Sequence, residues 1–541
     1  MQVLPQEKTY SGLYEKFQWR LPERYNIGVD ICDRWAKTEP GRIALIHKNS
    51  EDQSTTKLSY GELAAKSNQL ANALTKAGMT RTDRVALLLP QSPQTALCHI
   101  ATYKLGGIVV PLALLFGLDA LEYRLNNCGA KALVTNAQGL EKIRQISSKL
   151  PGLEIVISVD GPDGDVLGFD DLIAAQNQYF EPVITSPDDP ALMVYTSGTT
   201  GPPKGALHGH RVLLGHCPGV EFSHEFFPQP EDVMWTPADW AWAGGIFNIL
   251  FPGLRYGAPV VSYHFRRFDP EAAFGLMEEY NIRNCFIPPT ALKMLRVVEA
   301  PAKHFKLNLR TISSGGESLG REVYEWSQQE LGLTVNEFYG QTECNYVLAS
   351  CAKLGISKPG AIGRPVPGHI VGVIDEEGNI LPPGEQGQIA MKRPDPVMFL
   401  GYWDNPEATK NKFIGDWLTT GDQGIMDEDG YVSFVGRDDD VITSAGFRIG
   451  PGEIEDCLLA HEAVALSAAI GKPDDLRTEI VKAFIVLKDG YEPSDNLTKE
   501  IQTFVKQRLS AHEYPREIAF VDSLPLTTSG KVIRRLLREQ A

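Results

Sequence analysis

Cysteine is sparse in this 541-residue chain: eight are scattered along it with no Cys-x-x-Cys pair, which offers neither a disulfide framework nor a thiolate zinc site. Long apolar runs are missing as well. The longest, Ile108 to Leu118, is too short to cross a bilayer, and Met1 to Lys8 has no charged segment leading into an apolar stretch. The sequence therefore predicts a cytoplasmic protein with no membrane partner. Positive charge is in deficit: a formal net charge of −16 weighs against nucleic acid and anionic membranes as partners. Internal repeats at solenoid periods and low-complexity segments are absent. What is present, 43% hydrophobic and 22% charged residues, is an ordinary globular composition in a chain longer than one usual domain.

Residues 25 to 135 alternate helix-like stretches (Gly61 to Ala77, Gln94 to Leu105) with short apolar runs (Val85 to Leu89, Ile108 to Leu112, Ala132 to Val134), the rhythm of βα units. It recurs after residue 190, with a strand at Leu192 to Tyr195, a helix at Arg211 to His216, a βα set from Ala258 to Leu295 and a strand at Thr311 to Ser314. From about 360, glycine- and proline-punctuated runs (Gly368 to Ile374, Gly387 to Met391, Tyr431 to Phe434) read as a β-rich part. The last hundred residues alternate again, with helices at Ile454 to Ala460 and Leu497 to Arg508 and strands at Val464 to Gly471, Ile480 to Leu487 and Glu517 to Val521. The expected fold class is α/β: a large body of two α/β lobes plus a β-rich part at 1–438, and a small mobile α/β cap at 439–541.

The most informative segment is Tyr195-Thr196-Ser197-Gly198-Thr199-Thr200-Gly201-Pro202-Pro203-Lys204-Gly205, directly after an apolar run. Glycines let backbone N–H groups approach an anion, hydroxyls add donors, and Lys204 supplies a counter-charge, so the loop suits phosphate. It is not the common P-loop, because prolines precede the lysine and Gly205 follows it. A hairpin turn remains the plain alternative for such a loop taken alone.

Other strings follow in order: Ser313-Ser314-Gly315-Gly316-Glu317, Phe338-Tyr339-Gly340-Gln341-Thr342-Glu343, Thr420-Gly421-Asp422, Gly436-Arg437-Asp438-Asp439-Asp440, Gly446-Phe447-Arg448 and Thr528-Ser529-Gly530-Lys531. Together they resemble the adenylate-forming superfamily, and within it the short- and medium-chain acyl-CoA synthetases. The resemblance implies a ligase that makes an acyl-adenylate from ATP and a carboxylic acid, releases pyrophosphate, and passes the acyl group to coenzyme A. It implies ATP/AMP binding by Thr196, Ser197, Gly198, Thr199, Thr200, Lys204, Gly315, Gly316, Glu317, Phe338, Tyr339, Gly340, Gln341, Thr342, Asp422, Arg437 and Arg448. Tyr339 would pack on adenine, and Asp422 with Arg437 would hold the ribose. Lys531, Thr342 and Glu343 would be catalytic, with Glu343 the ligand of Mg²⁺, an ion that prefers one or two carboxylates plus phosphate oxygens. Ser444, Ala445 and Gly446 would bind CoA, and Asp439 would be the hinge of the cap. The basic tail Lys531 to Arg538 is read either as a solvated helix face or as a holder of CoA phosphates.

For the acyl pocket, acetyl-CoA synthetases carry a tryptophan before Gln-Thr-Glu where this chain has Gly340, which predicts a pocket deeper than acetate requires, lined by Trp235, Trp240 and Trp242. The same residues admit core packing. A protein lysine acyltransferase acting on Lys531 is an expected partner, since acylation would remove its charge. Monomer and homodimer both remain open. The competing reading is a stand-alone adenylation enzyme that loads a carrier protein.

Overall fold

The structure, a computed structural model, describes residues 2–196, 202–438, 440–444, 447–474, 477–509, 513–527 and 531–541. Among these, the strands form four sheets. Arg84–Leu88, Ile108–Pro111, Ala130–Thr135 and Pro190–Thr196 are nearly all buried and form the parallel centre of an eight-stranded sheet, as continuous apolar runs covered on both faces should. Two of the helices around these strands are those the periodicity marks, while Leu118–Cys128 and Ala137–Ile146 were not foreseen. Tyr60–Lys76 opens on a reciprocal capping box between Ser59 and Glu62. Pro93–Leu105 has Ser92 as its cap, proline in its first turn, and ends on Gly106 in the left-handed region.

A nine-stranded sheet forms the second lobe, with Met234–Trp235, Asn284–Phe286, Thr311–Gly315 and Asn336–Gln341 parallel at its centre. The antiparallel strand Cys344–Ala349 then turns back on Asn336–Gln341. The β-rich part is a five-stranded sheet that includes Val371–Ile374, Gln386–Lys392, Trp417–Met426 and Val432–Arg437. At the C-terminal end a further five-stranded sheet, dominated by the hairpin Val464–Asp474 and Thr478–Leu487, packs against Pro451–Leu459.

The helix expected to stop at His216 instead runs Val212–Ser223 through Pro218, and all of its residues are buried. Proline ordinarily ends a helix, but here packing on every side outweighs the lost hydrogen bond. No helix among the described residues is long and apolar enough to cross a membrane.

Candidate active site

The two lobes and the β-rich sheet present their motif strings to one another. Thr311–Gly315 lies beside Asn336–Gln341 with Gly315 opposite Phe338, and a Cβ on Gly315 would sit 2.5 Å from the Phe338 carbonyl oxygen. Only glycine permits that approach. Gly316 follows at φ +97°, and the space a side chain would take there faces the Lys531 Nζ at 4.0 Å. The lysine on the far C-terminal segment thus reaches the strip at 315–317, whose Glu317 accepts a hydrogen bond from Thr290 Oγ1 at 2.7 Å.

Asp422, almost fully buried on Trp417–Met426, is the centre of a polar knot. Tyr339 Oη donates to its Oδ2 at 2.5 Å and Gln341 Nε2 to the same oxygen at 2.7 Å, while Arg437 lies 3.6 Å from Oδ1. Burial pushes this carboxyl above its ordinary value, and Arg437, the two hydrogen bonds and the charge of Lys531 pull it back.

Glu343, also buried, stands at the turn between Asn336–Gln341 and Cys344–Ala349. Tyr402 Oη donates to its Oε1, and Lys204 Nζ lies 5.3 Å over the same tyrosine ring. Tyr402 therefore connects the lysine after the phosphate-type loop to the proposed metal carboxylate. Sequence reasoning missed it, because a lone tyrosine far from either motif carries no signal. Among the described residues no three His, Cys, Asp or Glu gather into a metal cage. A single carboxylate beside a phosphate site is nevertheless a donor set that suits Mg²⁺ arriving with a nucleotide.

Lys204 opens the strand Lys204–Gly209, which pairs antiparallel with Pro190–Thr196 and places Thr196 opposite Lys204. Thr196 and Lys204 are thus the last described pair of an antiparallel hairpin. Ser197, Gly198, Thr199 and Thr200, Asp439, Ala445 and Gly446, and the Arg448 side chain lie outside the described residues. Ser444 is buried in a strand paired to Phe447–Ile449.

Four expectations need correction. Phe338 faces the core, stacked on Tyr346 at 3.9 Å between ring centroids, so its side chain is not offered to a nucleotide. A Cβ on Gly340 would meet the Tyr346 nitrogen at 2.4 Å and Asn345 Cα at 2.5 Å; glycine there serves close backbone packing, and its bareness opens no cavity. The three tryptophans do not converge on one pocket. Trp240 belongs to the main core, Trp235 to the cluster around Phe274 and Ile312, and half-exposed Trp242 packs on Phe116 in a third cluster. The basic tail is neither solvated throughout nor reserved for phosphates, because Arg534 and Arg538 are paired with acidic groups of their own domain.

Residues 32–403 match the family model described as AMP-binding enzyme, and residues 453–531 match AMP-binding enzyme C-terminal domain. A Bacillus subtilis protein named acetyl-coenzyme A synthetase is 36% identical over 98% of this chain and 95% of its own length. The human mitochondrial acyl-coenzyme A synthetase ACSM4 is 36% identical over 96% of this chain and 91% of its own. The crystal structure of the anthranilate CoA ligase AuaEII in complex with anthranoyl-AMP superposes with a TM-score of 0.89 at 28% identity, covering 96% of this chain and 98% of that one.

Proposed function

The chain belongs to the family of AMP-binding enzymes and is an AMP-forming carboxylate–CoA ligase; from that premise we propose that its acid is a short- to medium-chain one, straight or branched, and longer than acetate. The body ends at 438 and the cap begins at 439 in this reading. Its main support is the meeting of Lys531 with Gly316 and the Asp422 knot, an arrangement suited to the first of two steps.

In that step an acid oxygen attacks the α-phosphorus of ATP, and the bond to pyrophosphate breaks. An anion approaches an anion, so charge neutralisation and positioning dominate. The Lys531 ammonium, beside Gly316, would bridge the acid carboxylate and the α-phosphate. Asp422 accepts from the ribose hydroxyls, and Arg437 holds both the sugar and Asp422. Tyr339 flanks the adenine while its hydroxyl orients Asp422. Lys204 and Thr196 face the outer phosphates, and Thr342 the α-phosphate. Glu343, oriented by Tyr402, would hold Mg²⁺, which when bound withdraws charge from the phosphates.

In the second step the CoA thiolate attacks the acyl carbon and AMP leaves. Lys531 must then give way to the Gly446 segment, so the cap turns at Asp439.

The acid assignment is supported by what borders the site. Trp242, Ala243 and Gly244 are only partly buried and leave surface on which an acid chain longer than acetate would pack. Each further methylene buried would add about 0.8 kcal/mol.

The test is a panel of straight and branched acids from two to eight carbons, assayed for AMP and pyrophosphate release with ATP, Mg²⁺ and CoA. The expected optimum lies beyond acetate. A preference for acetate overturns the acid assignment, and acyl transfer to a carrier protein in place of CoA would favour the carrier-loading alternative.

A further inference from the structure

Lys531 is exposed, beside a short antiparallel pairing in which Leu526 bridges Val532 and the Ile533 N–H donates to the Pro525 carbonyl at 2.8 Å; Lys531 itself pairs with Thr527. Its backbone N–H donates to Thr527 Oγ1 at 3.0 Å, and Thr527 N–H donates back to the Lys531 carbonyl at 2.7 Å. A long flexible side chain on such a turn has no fixed direction unless the turn itself is mounted on something stiff. The mount lies three residues on. Arg534 sends one guanidinium nitrogen to both oxygens of Glu455, at 2.7 and 2.8 Å, and another to Asp440 Oδ2 at 3.6 Å. Its Nε donates to the Ala469 carbonyl at 3.3 Å, and Glu455 Oε1 accepts from Ala469 N–H at 2.8 Å. Arg538 adds a second arm to Asp440 Oδ1 at 2.7 Å.

The lysine turn is thereby tied to the helix Pro451–Leu459, to the strand Val464–Asp474, and to the first residue after position 439. Across the domain boundary, the Glu317 carboxylate of the body also acts on the Arg534 guanidinium. A planar fork with several donors in fixed directions is what such a junction needs, and a lysine ammonium cannot reproduce it.

We propose that Arg534 is a positioning residue for the adenylation step, its guanidinium holding the Lys531 turn rigidly against Glu455 and Asp440. The inference rests on the role given to Lys531 above. It goes further in assigning the precision of that lysine to one arginine that touches no substrate. In the thioester step Lys531 is not used, so the mount matters only to the first half of the reaction.

The test measures the two half-reactions separately: acyl-adenylate formation from acid and ATP, and acyl-CoA formation from supplied acyl-adenylate. Misplacing a reacting group by about 1 Å costs about 10²-fold. Arg534→Gln is accordingly expected to lower adenylation by about 30- to 100-fold and to leave thioester formation within about twofold. Arg534→Lys, which keeps the charge and loses the fork, is expected to fall between. Asp440→Asn removes one anchor and keeps Glu455; it is expected to show the same one-sided loss at about tenfold, and it decides the matter if Arg534→Gln does not fold. Equal losses in both half-reactions, or full adenylation activity in folded Arg534→Gln or Asp440→Asn, would overturn the proposal. A wild-type protein that forms acyl-CoA without a split in the variants sinks this inference alone, whereas a wild type in which Lys531→Ala leaves adenylation intact sinks the reading beneath it.

Discussion

Tyr339 and Asp422 are joined by a 2.5 Å hydrogen bond that crosses from the nine-stranded sheet to the β-rich one. The strand carrying Tyr339 brings Gln341 to the same carboxylate, so this carboxylate is set by one sheet and supplied by another. A hydrogen bond to a charged group contributes about 1.5–3 kcal/mol. Tyr339→Phe should therefore raise the KM for ATP by roughly tenfold or more while the KM for the acid moves little. Steady-state kinetics with each substrate varied in turn checks this, and an unchanged KM for ATP would separate Asp422 from the nucleotide.

Lys531→Ala should lower acyl-adenylate formation by about 10²–10³, the usual effect of losing one preorganised donor. Attack of CoA on supplied acyl-adenylate should stay close to the wild-type rate. Rapid-quench measurement of each half-reaction gives the answer, and equal losses would contradict this division of labour.

The tryptophans should divide by burial. Trp240 has no accessible surface in the main core, so Trp240→Ala should destabilise the fold by about 3–5 kcal/mol, visible in a denaturant titration. Trp242→Ala should leave stability nearly intact and shift the acid profile. Gly340→Ala should lower stability, because its Cβ would meet backbone at 2.4 Å; a stable Gly340→Ala variant with an altered acid profile would restore that position to the pocket.

Asp438 is held on the body side by Gln388 and Gln423, and Asp440 on the cap side by Arg534 and Arg538. The proposed rotation between the steps would then fall to position 439. Asp439→Pro, which fixes φ near −65°, should trap one orientation and depress one half-reaction far more than the other. Wild-type rates in both would place the hinge elsewhere.

Glu221 is buried beneath the N-terminal segment, its carboxylate accepting from the backbone N–H groups of Val3 and Leu4 and from Tyr256 Oη. Burial pushes it from the ordinary 4.5 up to about 7, against the pull of those donors. The folded chain therefore keeps a proton that the unfolded chain has released between these values. The stabilising effect is complete below about pH 4.5 and is lost as pH rises through about 7. Unfolding free energy should fall across that window by up to about 1.4 kcal/mol per pH unit from this group. Glu221→Gln should flatten the slope, and a variant with the wild-type slope would assign the proton elsewhere.

Most of the fold was legible because its signals are local. Apolar runs such as Val85 to Leu89 and caps such as Ser59 with Glu62 dictate their own elements. The helix through Pro218 was not, since only burial on every side explains its persistence. The nucleotide strings were legible as strings, and the structure brings Gly316, Tyr339, Asp422 and Lys531 together. Tyr402, Arg534 and Glu455 were not, because each matters through a partner distant in sequence or on another element. Gly340 was read by the side chain it lacks, whereas the neighbouring backbone decides what glycine does there.

Where the C-terminal segment meets the rest of the chain, several of the contacts are made by glycine. Gly316 and Gly320 both lie at positive φ, the Asp456 carboxylate lies over Gly320, and Gly450 of the cap touches the Val435 carbonyl of the body. Contacts made through glycine backbone leave few side chains to interlock, which suits repeated release better than permanent adhesion. Under the proposed rotation, each turnover would move the cap with the modest energy differences that substrates and products supply. A mutation that planted an apolar side chain on this seam would act as a brake, tightening one orientation and slowing the enzyme without touching a single group that meets the substrates.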